Sequence, residues 1–239
     1  MDSFIVTCEH GGNRVPAAYR HFFRGQRRLL DSHRGYDLGA LVVARALAKS
    51  FAAPLVVSTV SRLLVDLNRS IGHRQLFAPV IRGTPVALRA KILRQHYLPY
   101  RAEVEQLIAR AVARGRRVIH LSSHSFTPVL DGAVRCADVG LLYDPGRRTE
   151  AFLCAQWKAA LVASAPELRV RRNYPYAGKC DGLTSYLRRR FPEQRYVGIE
   201  IEINQRIAQG GGPNWKALRA ALIASLRAAH GAAMPLPRA

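Results

Sequence analysis

The 239-residue sequence has no hydrophobic run that approaches the roughly 18 to 20 residues of a membrane-spanning helix. Its first residues also lack the basic segment and the short apolar stretch that mark a secretory signal peptide. We therefore expect a cytoplasmic protein that has no membrane partner.

Cysteine is scarce, and no C-x-x-C pair occurs among Cys8, Cys136, Cys154 and Cys180. This spacing argues against a zinc ribbon and against a disulfide framework, and it favours reduced thiols. Cys8 ends a predicted strand next to the candidate site described below. A small buried side chain is the more common role for a cysteine at such a position, and a nucleophile is the alternative.

Acidic side chains are few as well, with 16 Asp and Glu against 37 Lys and Arg, and the formal net charge is +21. Such a charge can indicate nucleic-acid binding. The arginines are spread along the whole chain, however, and neither an aromatic-interleaved RNA-binding signature nor a helix-turn-helix pattern accompanies them. We therefore expect solvated helix faces rather than a nucleic-acid partner, and a field that attracts small anionic substrates.

The sequence is typical of one folded domain over residues 1–239, with 49% hydrophobic residues and a flexible tail at 231–239. Short segments rich in β-branched residues predict strands at 4–8, 55–59, 117–122, 139–143 and 196–204. Apolar residues at helical spacing predict helices at 36–51, 85–114, 150–163 and 214–229, with a break or kink at Pro99. Loops are predicted at 128–137 and 169–181. Strands that alternate with helices indicate an α/β fold with a mostly parallel, helix-covered sheet.

Two histidines follow predicted strands at the carboxyl ends of those strands, where ligands bind in parallel α/β sheets. His10 comes two residues after the strand at 4–8, and His124 comes two residues after the strand at 117–122. The carboxyl ends of parallel strands form the floor of a ligand crevice, and two imidazoles delivered there are the start of a metal site. For either histidine alone, an ordinary hydrogen-bonded side chain is the simpler interpretation. His120, which lies deeper in the same strand, is predicted to belong to the core.

The third ligand of such a site is open at this stage. A catalytic zinc normally has three protein ligands and one free position. The candidates are a carboxylate or an amide in the segments near His10, namely Asp37, Glu9 or Asn13. Asp37 also opens the helix predicted at 36–51, where a carboxylate is favourable without any metal because it complements the helix dipole.

A pair of acids lies in the last predicted strand. Glu200 and Glu202 share one face of this strand, and isoleucines occupy the other face. A solvent-exposed edge strand would explain the pattern, and so would arginine partners. In the centre of a parallel sheet, two buried acids are costly unless a metal, an arginine or a proton neutralises them. Beside a metal site, one of them is predicted to act as general base and then to protonate the leaving amine.

The segment after the second predicted strand ends in Asp66-Leu67-Asn68-Arg69. An arginine presents a planar fork that binds a carboxylate through two parallel hydrogen bonds, and the amide of Asn68 can add a donor. A turn closed by Asp66 is the structural alternative for this segment.

Taken in order, these segments resemble the N-formylglutamate amidohydrolase family over about residues 4–206. The motifs are Cys8-Glu9-His10 with Asn13-Arg14-Val15-Pro16, Gly35-Tyr36-Asp37, Asp66-Leu67-Asn68-Arg69, His124-Ser125-Phe126-Thr127-Pro128, Asn173-Tyr174-Pro175-Tyr176-Ala177-Gly178 and Gly198-Ile199-Glu200-Ile201-Glu202-Ile203-Asn204-Gln205. Each motif is weak alone, but the ordered set is specific. The resemblance implies a three-layer α/β sandwich with a mixed, mostly parallel sheet covered by helices on both faces. Zinc carboxypeptidases, aspartoacylases and cell-wall amidases are similar in fold to this family.

The resemblance also implies roles for the residues of the metal site. It implies that zinc binds His10, Asp37 and His124. It implies that the catalytic glutamate is Glu202, because glutamate-releasing members carry glutamine at the position of Glu200.

On the substrate side, the resemblance makes Arg69 the carboxylate clamp, and Asn68 assists it. Asn173 and Gly178 belong to a loop that closes over the substrate. The common family form has Pro-Phe and a glycine pair in this loop, whereas this chain has Pro175-Tyr176 followed by Ala177, Gly178 and Lys179. This departure bears on the specificity for formylglutamate more than on the hydrolase class.

The predicted function is zinc-dependent hydrolysis of the amide of a small anionic N-acyl amino acid, N-formyl-L-glutamate first, as a step of histidine catabolism. Zinc lowers the pKa of a water molecule, Glu202 takes its proton, and the hydroxide attacks the acyl carbonyl. One alternative is a zinc peptidase or muropeptide amidase on the same fold. The other is a basic nucleic-acid-binding protein on an inactive hydrolase scaffold.

Overall fold

A computed structural model describes residues 2–231 of the chain. Its strands are β1 (Asp2–Cys8), β2 (Leu55–Val57), β3 (Arg117–Phe126), β4 (Val129–Leu130), β5 (Ala133–Val134), β6 (Val139–Leu142), β7 (Val170–Arg172) and β8 (Tyr196–Asn204). Its α-helices are α1 (Arg27–Leu30), α2 (Ala40–Ser50), α3 (Pro79–Arg82), α4 (Val86–Ile92), α5 (Leu98–Ala113), α6 (Arg148–Ser164), α7 (Leu183–Arg190), α8 (Gln205–Gly210) and α9 (Gly212–Gly231). A 3-10 helix lies at Ala17–Phe23 and a π-helical turn at Leu93–Tyr97. The predicted flexible tail lies outside the described residues, except for Gly231, which ends α9.

Within residues 2–231, six strands form one sheet in the order β2-β1-β3-β8-β6-β7. Neighbours in this sheet are parallel except β6 and β8, which run antiparallel. β4 and β5 form a separate antiparallel hairpin. The predicted mixed, mostly parallel sheet is therefore confirmed.

Helices cover the sheet on both faces, and each layer has its own hydrophobic cluster. On one face α2, α6 and α9 pack against the isoleucines of β8, through side chains such as Leu47 and Trp157. On the other face α5 and α7 pack through Val104 and Leu187. These layers complete the predicted three-layer sandwich. No helix in the described range is both long and apolar enough to cross a membrane.

β8 lies in the centre of the sheet, between β3 and β6, and every residue of it is buried. The two glutamates of this strand are therefore not on a solvent-exposed edge. Their burial must be compensated by groups in the layer that faces them.

β3 is longer than predicted. The predicted end at residue 122 is wrong, since pairing with β8 continues to Phe126 opposite Asn204. Consequently His124 lies within the strand rather than beyond it. The polar run Ser122-Ser123 conceals this continuation, because buried serines bonded inside the protein resemble a turn in sequence.

Several elements lie in segments where no strand or helix was expected, among them α1, α3, α8 and the 3-10 helix. β7 lies in the predicted loop at 169–181, the β4–β5 hairpin lies in the predicted loop at 128–137, and α7 has no predicted counterpart. β7 is a three-residue edge strand with two exposed arginines, so its sequence carries no alternation that is visible without its neighbour β6.

Two helix boundaries also differ from expectation. α2 begins at Ala40, so Asp37 precedes the helix and does not open it. Pro99 does not break its helical segment. The π-helical turn before α5 widens the helix there, and Leu98 donates to the carbonyl of Leu93. This widening accommodates a proline, which cannot donate a backbone hydrogen bond.

Candidate metal centre

The candidate site lies where β1 and β3 end, on the side of the sheet covered by α5 and α7. His10 follows β1 by two residues, and His124 lies on β3. Asp37 comes from the loop before α2, and its backbone N–H donates to the carbonyl of His10 at 3.0 Å. All three side chains are buried.

The structure brings His10, Asp37 and His124 together. One Asp37 oxygen, Oδ2, lies 2.9 Å from His124 Nδ1 and 3.3 Å from His10 Nδ1. Potential ligand atoms of the three residues all lie within 4.8 Å of one another. Sequence separations of 27 and 87 residues within this cluster show that the fold, not local sequence, creates it.

The far nitrogen of each imidazole has an acceptor of its own. His10 Nε2 lies 2.8 Å from Asp66 Oδ1. His124 Nε2 lies 2.9 Å from Ser122 Oγ and 3.1 Å from Glu9 Oε2. An ionised carboxylate only accepts, so Asp66 and Glu9 hold a proton on the two Nε2 atoms. The Nδ1 atoms face Asp37 Oδ2, and they are the nitrogens that would bind an ion in place of a proton shared with that carboxylate. Metal-bound histidines are oriented in this way.

Asp37 is held from its other side by an arginine. Arg62 Nη1 donates to Asp37 Oδ1 at 3.1 Å, and its Nη2 donates to Asp66 Oδ2 at 2.7 Å. One guanidinium therefore fixes both the third candidate ligand and the partner of His10. Sequence reasoning did not find this function for Arg62 or Asp66, because neither lies in a pattern that predicts it.

The other two candidates for the third ligand lie elsewhere. Glu9 lies on the far side of His124, and it also accepts a hydrogen bond from Tyr100 Oη at 2.9 Å. Asn13 donates to Asp31 at 2.8 Å. Of the three candidates left open by the sequence, Asp37 is the one that the structure places in the cluster.

The pKa values of several side chains in and around the cluster are strongly shifted. Burial raises the pKa of Glu9 and of Asp37, but hydrogen bonds and charge attraction from the histidines hold each pKa far below its usual range. Burial lowers the pKa of His124, yet its bonds to Asp37 and Glu9 raise it well above its usual value. For Arg62, burial lowers the pKa, whereas Asp66, Asp37 and more weakly Tyr176 raise it. The carboxylates of Glu9 and Asp37 are thus ionised and attract a cation.

Glu202 lies directly across from His124 in the parallel pairing of β3 with β8. Its Oε2 is buried and, among residues 2–231, has no hydrogen-bond partner. Burial raises its pKa to about 8, although the charge of His124 lowers it. By contrast, Glu200 accepts from Thr184 Oγ1 at 2.6 Å.

These residues fit a divalent metal ion. Two imidazole nitrogens and one carboxylate oxygen form a donor set typical of a catalytic zinc site, which keeps a further position for water or substrate. A buried carboxylate oxygen without a partner next to this cluster is a group that such a water would satisfy.

The predicted substrate clamp lies beside the cluster. Asn68 Nδ2 is 3.4 Å from His124 Nε2, and Asn68 Oδ1 accepts from the backbone of Leu183 at 2.6 Å. Arg69 Nη1 donates to the carbonyl of Asp181 at 2.7 Å, while its Nε is buried without a partner in the described range. Part of the Arg69 guanidinium is therefore already used to fix its position.

The predicted closing loop, residues 173–178, lies against β6 and β8. Asn173 Oδ1 accepts from the backbone N–H groups of Tyr143 and Gly178, each at 3.0 Å. A Cβ at Gly178 would overlap the backbone of Tyr143. The visible contacts of Asn173 and Gly178 thus shape the loop, and their contact with substrate stays a prediction.

Comparison with known proteins gives the following. A family model described as N-formylglutamate amidohydrolase matches residues 2–208. A solved structure of a gene product from Agrobacterium tumefaciens is 30% identical, with a TM-score of 0.80 over 95% of this chain and 90% of that chain. An N-formylglutamate amidohydrolase from Ralstonia eutropha is 20% identical, with a TM-score of 0.68 over 96% and 94%, and it shares the fold. No curated protein matches the chain.

Proposed function

We propose a metal-dependent hydrolase function for this chain, which belongs to the N-formylglutamate amidohydrolase family. The reaction is hydrolysis of the amide of an N-acyl amino acid, with N-formyl-L-glutamate as the first candidate and formate and glutamate as its products. The observation that carries this proposal is the convergence of His10, Asp37 and His124 beside Glu202, whose buried Oε2 has no hydrogen-bond partner among residues 2–231.

His10 Nδ1, His124 Nδ1 and an oxygen of Asp37 are the atoms that would hold the ion. A divalent ion bound there, for which zinc is the first candidate, supplies a Lewis acid that activates water and polarises the acyl carbonyl. Asp66, Glu9 and Arg62 keep these donor atoms oriented, which lowers the cost of assembling the site.

Glu202 is proposed to move the proton. Its carboxylate accepts a proton as water attacks the acyl carbon, and it returns that proton to the nitrogen when the C–N bond breaks. Water thus adds across the amide, giving a carboxylic acid and an amine. The positive charge of an ion nearby favours the ionised form of Glu202, which a base requires, against the desolvation that raises its pKa.

Asn68 and Arg69 are proposed to bind the carboxylate of the amino acid. Arg69 has a buried Nε without a partner in the described range, and Asn68 lies next to His124. A substrate anchored there would present its amide to the metal centre. Fixing both reactants in this way contributes to rate by removing their translational freedom.

The test combines metal content with activity. Purified protein is analysed for bound metal, stripped with a chelator and assayed on N-formyl-L-glutamate before and after zinc is returned. We expect bound divalent metal, loss of hydrolysis on stripping and recovery with zinc. Because loss of one outer partner of a metal ligand costs about 10- to 100-fold, we expect His124→Ala to lower kcat/KM by more than about 100-fold.

The matched control is His21→Ala, which removes an exposed histidine of the 3-10 helix. It should keep both metal and activity. The proposal is wrong if stripped protein hydrolyses N-acyl amino acids at the original rate, or if His124→Ala retains metal and activity.

A further inference from the structure

We propose that Arg135 is a specificity-determining residue, which binds the second carboxylate of an acidic N-acyl amino acid. This inference rests on the proposed hydrolase function. It assigns to one residue the choice between charged and neutral side chains of the substrate.

Arg135 is anchored at the end of the sheet that carries the metal centre. It follows β5, and its N–H donates to the carbonyl of Pro128 at 2.8 Å. Its own carbonyl accepts from Asn204 Nδ2 at 3.1 Å. Asn204 is the last residue of β8, two positions after Glu202, so the base of the hairpin is tied directly to the candidate catalytic strand.

The guanidinium of Arg135 lies between two aromatic rings. Its Cζ is 6.0 Å from the ring centre of Phe126 and 5.1 Å from that of Tyr176. Phe126 lies two residues after His124 on β3, so both side chains point to the same face of the sheet, about 7 Å apart along the strand. Arg135 is therefore on the substrate side of the metal centre.

Tyr176 places the other ring on that side as well. It belongs to the loop 173–178, in which the carbonyl of Tyr174 packs so closely on Gly140 that a Cβ there would overlap it. Gly140 pairs with Glu202 across β6 and β8. The Tyr176 side chain is 47% exposed, so the Arg135–Tyr176 pair is open to incoming molecules.

Arg135 has no acidic partner among residues 2–231, although it is partly buried. Its polar contact is a neutral one, from Nη1 to Tyr176 Oη at 3.1 Å. The nearest acid in sequence beyond it, Asp138, pairs with Arg206 and Arg169. A guanidinium that stacks on rings and lacks a carboxylate presents a planar fork ready for one.

The other arginines at the site cannot replace it. Arg62 is already bound to Asp37 and Asp66. Arg69, on a different segment of chain, is proposed for the first carboxylate. An amino acid with a neutral side chain offers no second carboxylate, so Arg135 would distinguish it from an acidic one.

The experiment compares N-formyl-L-glutamate with N-formyl-L-glutamine, which has the same shape and a neutral side chain. Metal-loaded wild type, Arg135→Gln and Tyr176→Phe are assayed on both. We expect Arg135→Gln to lower kcat/KM for formylglutamate roughly 10- to 100-fold, mostly through KM, because a hydrogen bond to a charged group is lost. For formylglutamine we expect a change below about threefold, and Tyr176→Phe should show a weaker form of the same selectivity.

The control is Arg227→Gln, which removes another ring-stacked arginine, 5.0 Å from Phe51 in a different part of the protein. It should leave both kcat/KM values unchanged. The proposal is overturned if Arg135→Gln lowers kcat/KM equally for the two substrates, or lowers it for neither. Melting temperatures of all variants identify a folding defect, and Arg135→Lys, which keeps the charge but not the fork, should retain part of the selectivity.

Calorimetric binding separates this inference from the hydrolase proposal. If wild type hydrolyses neither substrate, the hydrolase proposal fails, but L-glutamate and L-glutamine can still be titrated into wild type and Arg135→Gln. A preference for L-glutamate that Arg135→Gln removes supports the inference. A preference unaffected by the substitution, or no preference in wild type, overturns it.

Discussion

Each of the three candidate ligands faces the candidate metal site with one side and contacts a fixed partner with the other. Asp66 contacts His10, Glu9 contacts His124 and Arg62 contacts Asp37, each on the side that faces away from the cluster. These partners determine which imidazole nitrogen carries the proton, and therefore which nitrogen can bind an ion.

Glu200 and Glu202 differ in what they contact, although they share one strand face. Glu200 is bonded to Thr184, whereas Glu202 has a buried oxygen without a partner in the described residues. A carboxylate already satisfied by a hydroxyl is a poor proton acceptor for a third molecule. The choice of Glu202 as base thus has a structural argument beside the family resemblance.

At the residue scale we predict that Glu202→Gln lowers kcat for N-formyl-L-glutamate by about 100- to 10,000-fold, because the amide cannot accept the proton. The substitution keeps the shape of the side chain and removes no proposed metal ligand. Metal content and melting temperature should therefore stay close to those of wild type. Steady-state kinetics and metal analysis on one sample measure both.

The matched variant for this prediction is Glu200→Gln, two residues away on the same face. We expect it to reduce kcat far less. If Glu200→Gln abolishes turnover and Glu202→Gln does not, the two roles are reversed.

At the scale of elements, the position of the loop 173–178 depends on two glycines, one in the strand beneath the loop and one at the end of the loop itself. Gly140 on β6 lets the carbonyl of Tyr174 approach the sheet next to the Cβ of Glu202. Gly178 lets the end of the loop lie on the backbone of Tyr143. Close backbone approach of this kind is a use of glycine within a strand that the sequence alone does not reveal.

We predict that Gly140→Ala displaces this loop, since the added methyl group would overlap the Tyr174 carbonyl. Overpacking of this kind costs about 1 to 3 kcal/mol of stability. Thermal unfolding should show a lower melting temperature, and kcat/KM should fall because the ring of Tyr176 moves with the loop.

Gly83→Ala serves as the control. A Cβ at Gly83 would have its nearest neighbour at 3.7 Å, and the backbone φ there is −75°. It should be neutral in both assays. Equal stability and activity of Gly140→Ala and wild type would contradict the close approach described above.

Strands were predicted correctly where their sequence carries a visible hydrophobic pattern. β1 contains a run of hydrophobic residues at 4–6, β8 has isoleucine at every second position from 199 to 203, and both strands were predicted to within two residues. β7 and the β4–β5 hairpin were missed because two or three residues carry no period. Such elements form when a neighbouring strand supplies their hydrogen bonds.

At the scale of the whole molecule, the surface is more basic than the composition indicates. Seven of the 16 acidic side chains are buried within residues 2–231, whereas Arg101 and Arg188 are the buried basic ones there. The excess of positive charge therefore faces solvent. Such a field attracts anionic substrates from a distance and weakens with salt.

The two ends of the described chain meet at an ion pair. Asp2, which begins β1, accepts from Arg117 Nε and Nη2 at 2.8 Å each and lies 2.9 Å from His230 Nε2 on α9. Burial raises the pKa of Asp2, but the bonds to Arg117 and His230 outweigh it and lower that pKa below its usual value.

We predict that Asp2→Asn lowers the free energy of unfolding by about 1 to 2 kcal/mol near neutral pH, since the partial exposure of Asp2 reduces the about 1.5 to 3 kcal/mol of a buried hydrogen bond to a charged group. A carboxyl with a lowered folded-state pKa stabilises the protein above its unfolded-state pKa of about 4. The difference in free energy of unfolding between Asp2→Asn and wild type should therefore be largest above about pH 5, and it should shrink as pH falls through the folded-state pKa of Asp2. Denaturant unfolding at several pH values measures it.

Asp131→Asn is the control, since Asp131 is exposed in the hairpin turn. It removes the same charge and should change stability little at any pH. The prediction would be contradicted if the free energies of unfolding of Asp2→Asn and wild type differed by the same amount down to strongly acidic pH.

The sequence by itself determined the α/β class and, through the order of its motifs, the family, and it predicted His10, His124 and the acid pair as site residues. These follow from alternation and composition within short segments, which a linear pattern contains. The tertiary structure places Asp37, which the family resemblance implied, beside the histidines in place of Glu9 or Asn13. It alone decided that Asp66 contacts His10, that Arg62 contacts Asp37, and that Arg135 reaches the same side. The physical reason is that hydrogen bonds and ion pairs between buried groups act over a few ångströms. Partners such as His10 and Asp66 lie 56 positions apart in the chain, so only packing of the strands and loops brings them within that range.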